Sequence, residues 1–337
     1  MIIVRKFLLL LIFISIIVYI VLPSSSKLNN SEINSSKKEC RCSENSDNLD
    51  SKNTDLLYKE SSLRFTCNID KVLRHGSKQK VVSYSLYGKD KRYYRIIQDL
   101  PKLTKQFYPD FLIRIYHDDS IDRSIICKIE CEFDHVDFCD ISKIQLKDSD
   151  TNLNQVHSMI WRFFPLGDSF VDVFMSRDLD STIIQREKDS VEEWLNSDNI
   201  GHIMRDNPAH GTHILGGMWG LKVGKNHSLS NALFDTTINK NLIPKYNPNG
   251  QSSRGYDQYF LSHHVYGKIN HVSTVHDSYL CQYYSNSKPF PTKREGGLFV
   301  GRVTGWANPN DEDLSEISMK DCPVACRPKD HLDWVKC

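Results

Sequence analysis

Excess charge of one sign is missing from this chain: 43 lysines and arginines face 42 aspartates and glutamates, a formal net charge of +1. A protein held to nucleic acid by phosphate neutralisation needs a clustered basic surplus, so the balance argues against that class. Cysteine is too scarce for a disulfide-dense mini-protein, ten in 337 residues, although that is more than a cytosolic enzyme needs. Long apolar runs are confined to the N-terminus. What is present is a hydrophobic content of 39% with 10% aromatics, too many for a disordered tail and enough for a packed core. At roughly 150 residues per domain the length fits one large α/β domain or two small ones.

Phe7 to Leu22 (FLLLLIFISIIVYIVL) carries no charge and follows Arg5 and Lys6. As a helix it spans about 24 Å, short for a bilayer core, and Met1–Val4 lengthen it if the two basic side chains snorkel. The positive flank on the N-terminal side directs the rest of the chain to the lumen or outside. Residues 1–23 are therefore expected to be a cytoplasmic tip and signal-anchor, with a cleaved signal peptide ahead of Ser24 as the alternative. Residues 24–78 are rich in Ser, Asn, Lys and Asp and are expected to form a flexible luminal stem. Asn29, Asn34 and Asn226 each open a glycosylation sequon. In that oxidising compartment the ten cysteines are expected to form disulfides, because Cys127-x3-Cys131-x7-Cys139 and Cys322-x3-Cys326-x10-Cys337 lack the paired spacing of common zinc sites. The C-terminal trio is expected to tie the tail, residues 311–337, back to the domain.

Residues 79–310 are expected to be the catalytic domain. Val81–Leu86 reads as a strand. Residues 91–107 have apolar positions at helical spacing, with Pro101 implying a kink or a break. Phe111–Tyr116 reads as a second strand, closed by His117-Asp118-Asp119. Strand, helix and strand within about 35 residues fit a βαβ unit and a parallel sheet, whose ligands lie at the carboxyl ends of the strands. Val171–Met175 is another strand, followed by Ser176-Arg177-Asp178-Leu179-Asp180-Ser181, and a helix is expected over 185–195.

Period-two alternation puts Asp178 and Asp180 on one side and Leu179 on the other. Two carboxylates at a strand end make a hard oxygen site for Mn²⁺ or Mg²⁺, which can bridge a diphosphate leaving group. The same Asp-x-Asp spacing also occurs in solvated loops and helix caps. Arg177, Arg186 and Arg205 are candidates for phosphate contacts, or for pairs with Glu187, Asp206 or another acid. Gly216 and Gly217 allow backbone to approach a ligand, or form a turn. Trp219, Trp161, Phe163 and Phe164 read as core. His202, His210 and His213 lack the helix pattern of a zinc hydrolase, which leaves a metallohydrolase a distant third reading.

Val81–Gly88 (VVSYSLYG), Arg114–Asp118, Trp161-Arg162-Phe163, Ser176–Ser181 (SRDLDS), Arg186-Glu187, Val191–Leu195, His202–Asp206 and Ile214–Gly220 (ILGGMWG) occur in this order. Gly255–Leu261 (GYDQYFL), His276-Asp277-Ser278 and Pro289-Phe290-Pro291 follow them. As a set these motifs resemble a little-characterised group of putative glycosyltransferases with a GT-A-type nucleotide-sugar fold, over roughly residues 80–303. The resemblance implies an α/β, Rossmann-type mixed sheet flanked by helices. It implies that Asp178 and Asp180 are the DXD motif holding a metal and the sugar-nucleotide diphosphate, and that Asp257, before Gln258, lies near donor sugar and acceptor. It makes His276 the candidate third metal ligand, with Asp277 as the alternative. Mn²⁺ or Mg²⁺, a nucleotide-sugar donor (uridine diphosphate as the commonest base) and a glycan, protein or lipid acceptor are the expected partners. The expected setting is the Golgi membrane, single-pass type II, with secretion after signal cleavage as the alternative. The rival reading is a noncatalytic glycan-binding or scaffold protein on the same fold.

Overall fold

Eight strands make one mixed sheet: β1 (Gln79–Leu86), β2 (Phe111–His117), β3 (Val136–Asp140), β4 (Val171–Arg177), β5 (Gly201–Arg205), β6 (Met218–Leu221), β7 (Ser273–Asp277) and β8 (Ser287–Lys288). The computed structural model describes residues 63–146, 149–248, 254–303 and 319–337, all of them within the compact unit that spans 45–337. The sheet order is β3-β2-β1-β4-β6-β5-β7-β8. β6 runs antiparallel to β4 and β5, and the other pairings are parallel. Every strand except β6 therefore ends on the same edge.

Both faces of the sheet are covered, which is why its strands read as nearly continuous apolar runs. Val82, Tyr84 and Leu86 of β1 pack with Ile97 and Leu100 of α2 (Lys91–Phe107), Ile129 of α3 (Arg123–Glu132) and Trp194 of α4 (Gln185–Asn196). A short α1 (Ile69–Arg74) precedes them in the chain. Val81 points the other way, into a cluster with Trp161, Phe163 and Phe164 of a 3₁₀ segment (Ser158–Gly167), with Trp219, and with Phe234 of α5 (His227–Thr237). The two clusters on alternate faces of β1 are the period-two pattern in three dimensions.

α2 runs unbroken through Pro101, where a kink or break is expected. A proline inside a helix costs about 3 kcal/mol. Ile97 and Leu100 are both buried against the sheet, and each such side chain contributes about 1.5–3 kcal/mol. His135 Nε2 also meets the Pro101 carbonyl at 3.1 Å. The packing outweighs the lost backbone bond.

Among the described residues, packed structure is already present at residues 63–78, where composition leads to the expectation of stem. Phe65, Thr66 and Cys67 are buried. Cys67 is bonded to Cys139 of β3, and the Thr66 N–H donates to Asp168 at 3.0 Å. Asp168 in turn accepts from Arg114 on β2 at 2.8 Å. Disulfides Cys281–Cys326 and Cys322–Cys337 tie the tail to the domain and to itself. Closing a loop of about 15 residues, as the second does, is worth roughly 3 kcal/mol. Cys127 and Cys131 are disulfide-bonded too, so among the described residues no thiol is free. Among the described residues no helix is long and apolar enough to cross a membrane. The apolar run Phe7–Leu22 and the sequons at Asn29 and Asn34 lie outside the described residues.

Candidate functional site

In an open α/β sheet the ligand crevice opens where neighbouring strands send their following connections in opposite directions. Here that point lies between β1, whose chain continues to β2 on one side, and β4, whose chain continues towards β5 on the other. Tyr87 and Gly88 leave the end of β1, and Asp178, Leu179 and Asp180 leave the end of β4. The Ser181 N–H donates to the Asp178 carbonyl at 3.2 Å, closing a turn. Leu179 is buried in the core. Its burial, about 1.5–3 kcal/mol, outweighs the roughly 1 kcal/mol of the turn bond, so the leucine anchors the loop while the two aspartates stay half-exposed.

Arg162 joins this loop to two others. It stands in the 3₁₀ segment, where its own N–H donates to Ser85 Oγ of β1 at 3.0 Å. Its Nη1 is paired with Asp178 Oδ1, and its Nη2 donates to Asp257 Oδ2 at 2.7 Å. Burial works to lower the Arg162 pKa, but the charges of Asp178 and Asp257 outweigh it and hold the group above its ordinary value. Asp257 arrives on the short helix α7 (Tyr256–Phe260), the next after α6 (Ile243–Tyr246). Gly255 precedes α7 at φ +91°, a left-handed conformation that favours glycine.

Gly216 and Gly217 roof the cluster. A Cβ on Gly217 would overlap the carboxylate of Asp178, and one on Gly216 would overlap both Arg162 Nη2 and Asp257 Oδ2. Ser176 Oγ donates to the Gly216 carbonyl at 2.6 Å and fixes the turn. The structure thus brings Asp178, Asp257, Gly216 and Gly217 together around Arg162. Asp180 stands in the same field. Burial, then the charge of Asp178, raises its pKa, while Arg162 and Arg254 oppose the rise. Burial also raises the hydroxyl pKa of Tyr87 and Tyr93, with Asp180 adding to the effect at Tyr93.

Three arginines expected as phosphate contacts lie elsewhere. Arg177 turns into the core behind the loop, where its Nε donates to Glu187 Oε1 at 2.6 Å and Tyr108 OH donates to the same oxygen at 3.1 Å. Arg205, fully buried, is paired with Asp277 at 2.5 Å and lies 4.2 Å from the Tyr284 ring centre. Both guanidiniums are taken up by these partners, away from any diphosphate. Arg186 likewise pairs with Asp206 at 2.9 Å.

His276 is no ligand partner for the two aspartates. It faces Met204 on β5 and so lies three strand spacings, roughly 14 Å, from Arg177. Its Nε2 meets Glu193 Oε2 at 2.9 Å and its Nδ1 meets His202 Nε2 at 2.9 Å. Asp277, the alternative, accepts from the backbone N–H groups of Tyr279 and Leu280 besides pairing with Arg205. Among the described residues the one triple of ligand atoms at metal spacing is Asp277, Cys281 and Cys326, and its two sulfurs are already joined to each other.

The donor set of Asp178 and Asp180 nevertheless fits a hard divalent cation. Two oxygen-bearing acids stand at a half-open turn, where burial and then the charge of Asp178 raise the Asp180 pKa, and hard oxygen donors of this kind suit such an ion. His202, His210 and His213 form no zinc cluster: His202 is stacked on Trp194, His210 Nδ1 accepts from the Asp206 N–H, and His213 packs on Tyr266. Trp219 is core, edge-on to Phe163 and Phe174. The residue that sequence reasoning missed is Arg162. Its signal is a single charge inside the apolar run Met159–Leu166, since a buried charge requires a partner.

No family model matches the chain, and no curated protein matches it. Solved structures to which it is similar include glycosyltransferases. One is a glycosyltransferase involved in glycosylation of the major capsid of PBCV-1, at 13% identity and a TM-score of 0.34 over 60% of this chain and 82% of that one. Another is the galactosyltransferase LgtC in complex with donor and acceptor sugar analogs, at 11% identity and a TM-score of 0.37 over 73% of this chain and 98% of that one. A third is the bifunctional glycosyltransferase WbbM, at 10% identity and a TM-score of 0.30 over 47% of this chain and 34% of that one. At TM-scores this low the likeness carries no weight of its own, and the functional reading rests on the residues.

Proposed function

We propose that this chain transfers a sugar from a nucleotide-diphosphate sugar, most simply a uridine diphosphate sugar, to an acceptor hydroxyl. The observation that carries the reading is the convergence of Asp178, Asp180 and Asp257 around Arg162, under two glycines, at the carboxyl ends of β1 and β4. Asp178 and Asp180 would hold Mn²⁺ or Mg²⁺, which when bound supplies positive charge to offset the leaving diphosphate. Gly216 and Gly217 let a substrate reach the backbone. Arg162 keeps Asp178 and Asp257 in fixed relation, so that donor and acceptor groups meet in one geometry. In the transfer the bond from the anomeric carbon to the diphosphate oxygen breaks and a bond to the acceptor oxygen forms. The electron pair leaves on the diphosphate, and Asp257 takes the acceptor's proton.

The test is release of nucleotide diphosphate from a panel of nucleotide sugars with Mn²⁺. The Asp178→Asn, Asp180→Asn double variant should retain its fold by circular dichroism and lose about 10²–10³-fold in rate. Unchanged release from the folded variant would contradict the reading. A noncatalytic glycan-binding protein is the second reading, favoured by the single fact that Arg162 already occupies one oxygen of Asp178. It predicts no nucleotide release from any donor, with or without metal. The uncharged run Phe7–Leu22 behind Arg5 and Lys6, the polar composition that follows it and the disulfides support the reading of a luminal catalytic domain on a single-pass type II protein of the Golgi membrane. An epitope placed at each end, probed by protease protection in microsomes, reads that topology.

A further inference from the structure

A small cavity lies against the turn that carries the two aspartates. Its wall includes Ser181 of the turn, Gly217 of the roof, Arg177 at the end of β4, Glu187 of α4, Tyr84 of β1 and Val300. The space open to the centre of a water-sized sphere is about 10 Å³, close to the room that one water molecule needs. A purely apolar hole of that size stays dry. Here Ser181, Arg177, Glu187 and Tyr84 all carry hydrogen-bonding groups, and a buried water needs roughly two to four such partners.

Two buried polar atoms of this wall lack a partner. Ser181 Oγ is shielded from solvent and makes no hydrogen bond among the described residues. A hydroxyl so placed has lost its hydration and gained nothing in return. The second atom belongs to Glu187, which is 2% exposed. Its bonds from Arg177 Nε and Tyr108 OH, at 2.6 and 3.1 Å, both end on Oε1. That leaves Oε2 uncommitted among the described residues. Arg177 is taken up by Glu187 and by the Ser176 and Trp219 carbonyls.

We infer that this cavity holds one ordered water, which accepts from the Ser181 hydroxyl and donates to Glu187 Oε2, and that Ser181 is thereby a positioning residue for Asp178 and Asp180. The first half stands on the cavity and its unpartnered atoms, and the second rests on the proposed metal-holding role of the two acids. Glu187 is a fixed post, because the pair with Arg177 holds it in the first turn of α4. Ser181 closes the aspartate turn through its N–H to the Asp178 carbonyl, and its backbone forms an antiparallel bridge with Val303. A water between Ser181 and Glu187 fastens the far end of that turn to α4, as Leu179 fastens its middle to the core.

The test has two readings. A crystal structure of the unaltered chain, at a resolution that shows ordered water, should carry one water peak within hydrogen-bond distance of both Ser181 Oγ and the Glu187 carboxylate. Titration of the full chain with MnCl₂, followed by electron paramagnetic resonance, should show Ser181→Ala binding Mn²⁺ about tenfold more weakly, the worth of one hydrogen bond, with its fold kept by circular dichroism. Ser181→Thr, which retains the hydroxyl, should recover most of that affinity. A dry cavity in the unaltered chain would overturn the inference. So would an Mn²⁺ affinity unmoved by Ser181→Ala, or a folded Ser181→Thr as weak as the alanine variant. In those cases Mn²⁺ binding by the unaltered chain leaves the proposed function standing. If the unaltered chain binds no Mn²⁺, the metal-holding reading falls and takes the positioning role with it.

Discussion

Two knots of arginine and aspartate sit along the carboxyl edge of the same sheet, and they are built in opposite ways. At the end of β5, Asp206 is shared by two cations. It accepts from Arg186 at 2.9 Å, Arg294 at 2.7 Å, Ser278 Oγ at 2.5 Å and the Val300 N–H at 2.9 Å, with nothing left to solvent. At the end of β4, one cation, Arg162, is shared by two carboxylates with a third in its field, and the Asp178 side chain is 42% exposed. The first knot has a surplus of positive charge, is sealed, and fastens the segment 294–300 to the sheet. The second has a surplus of negative charge and is open. A closed network stabilises a fold by completeness, whereas an open one with unbalanced charge is arranged to take a ligand.

The largest expected difference between the knots is in stability. Asp206→Ala strands two buried guanidiniums and should cost about 3–5 kcal/mol, read as a shifted midpoint in urea. A loss under about 1 kcal/mol, the value of a surface pair, would remove the contrast. The next effect belongs to the open knot. Gly217→Ala pushes a methyl group into the Asp178 carboxylate and should lower nucleotide release by about 100-fold, the scale of a displacement near 1 Å. Release at the unaltered rate would show that Asp178 need not be held there.

Acid should find the sealed side first. Burial holds His202 and His276 below the ordinary histidine range; the charge of His276 lowers His202 further, and Glu193 pulls His276 back up only in part. Glu193 itself is lowered to about 2 by the hydrogen bond from His276, with Lys288 helping. The native pair binds fewer protons than the unfolded chain, so its stability is complete above the free histidine pKa of about 6.5 and is lost as pH falls through that value. The Tm should decline between pH 7.5 and 5.5, and decline less in His276→Gln. An equal slope in both proteins would contradict this.

The smallest effect has the opposite sign. Asp180 has a raised pKa in the fold, so its contribution is full below the free aspartate value and is lost as pH rises through the raised one. Asp180→Asn should therefore raise the Tm at neutral pH by about 2 °C. Mn²⁺ should do the same for the unaltered chain and not for the variant, as thermal denaturation with and without the ion would reveal.

Much of the site half is legible in the amino-acid sequence. β1, β2 and β4 stand out because their apolar runs are bounded by turn residues, and Asp178 and Asp180 declare themselves at the end of one of them. β6 is not legible, since four residues with a central glycine (MWGL) carry no periodicity. The failure at His276 has a different cause. A late histidine can be placed near an early aspartate only if the order of strands is known, and β6 and β5 intervene between β4 and β7. Arg177 and Arg205 could be assigned to phosphate or to acid on composition alone. Only the packing of Glu187 and Asp277 against them decides for acid. Arg162 is hidden by its neighbours, because Trp161, Phe163 and Phe164 read as core, as they are.

The most decisive experiment is a crystal structure of the chain with Mn²⁺ and a uridine diphosphate sugar, with anomalous data collected at the manganese edge. The expected outcome is an anomalous peak bound by Asp178 and Asp180, with the diphosphate beside it and the sugar directed towards Asp257. A peak at another site with the aspartate turn empty, or a nucleotide bound away from the ends of β1 and β4, would overturn the assignment.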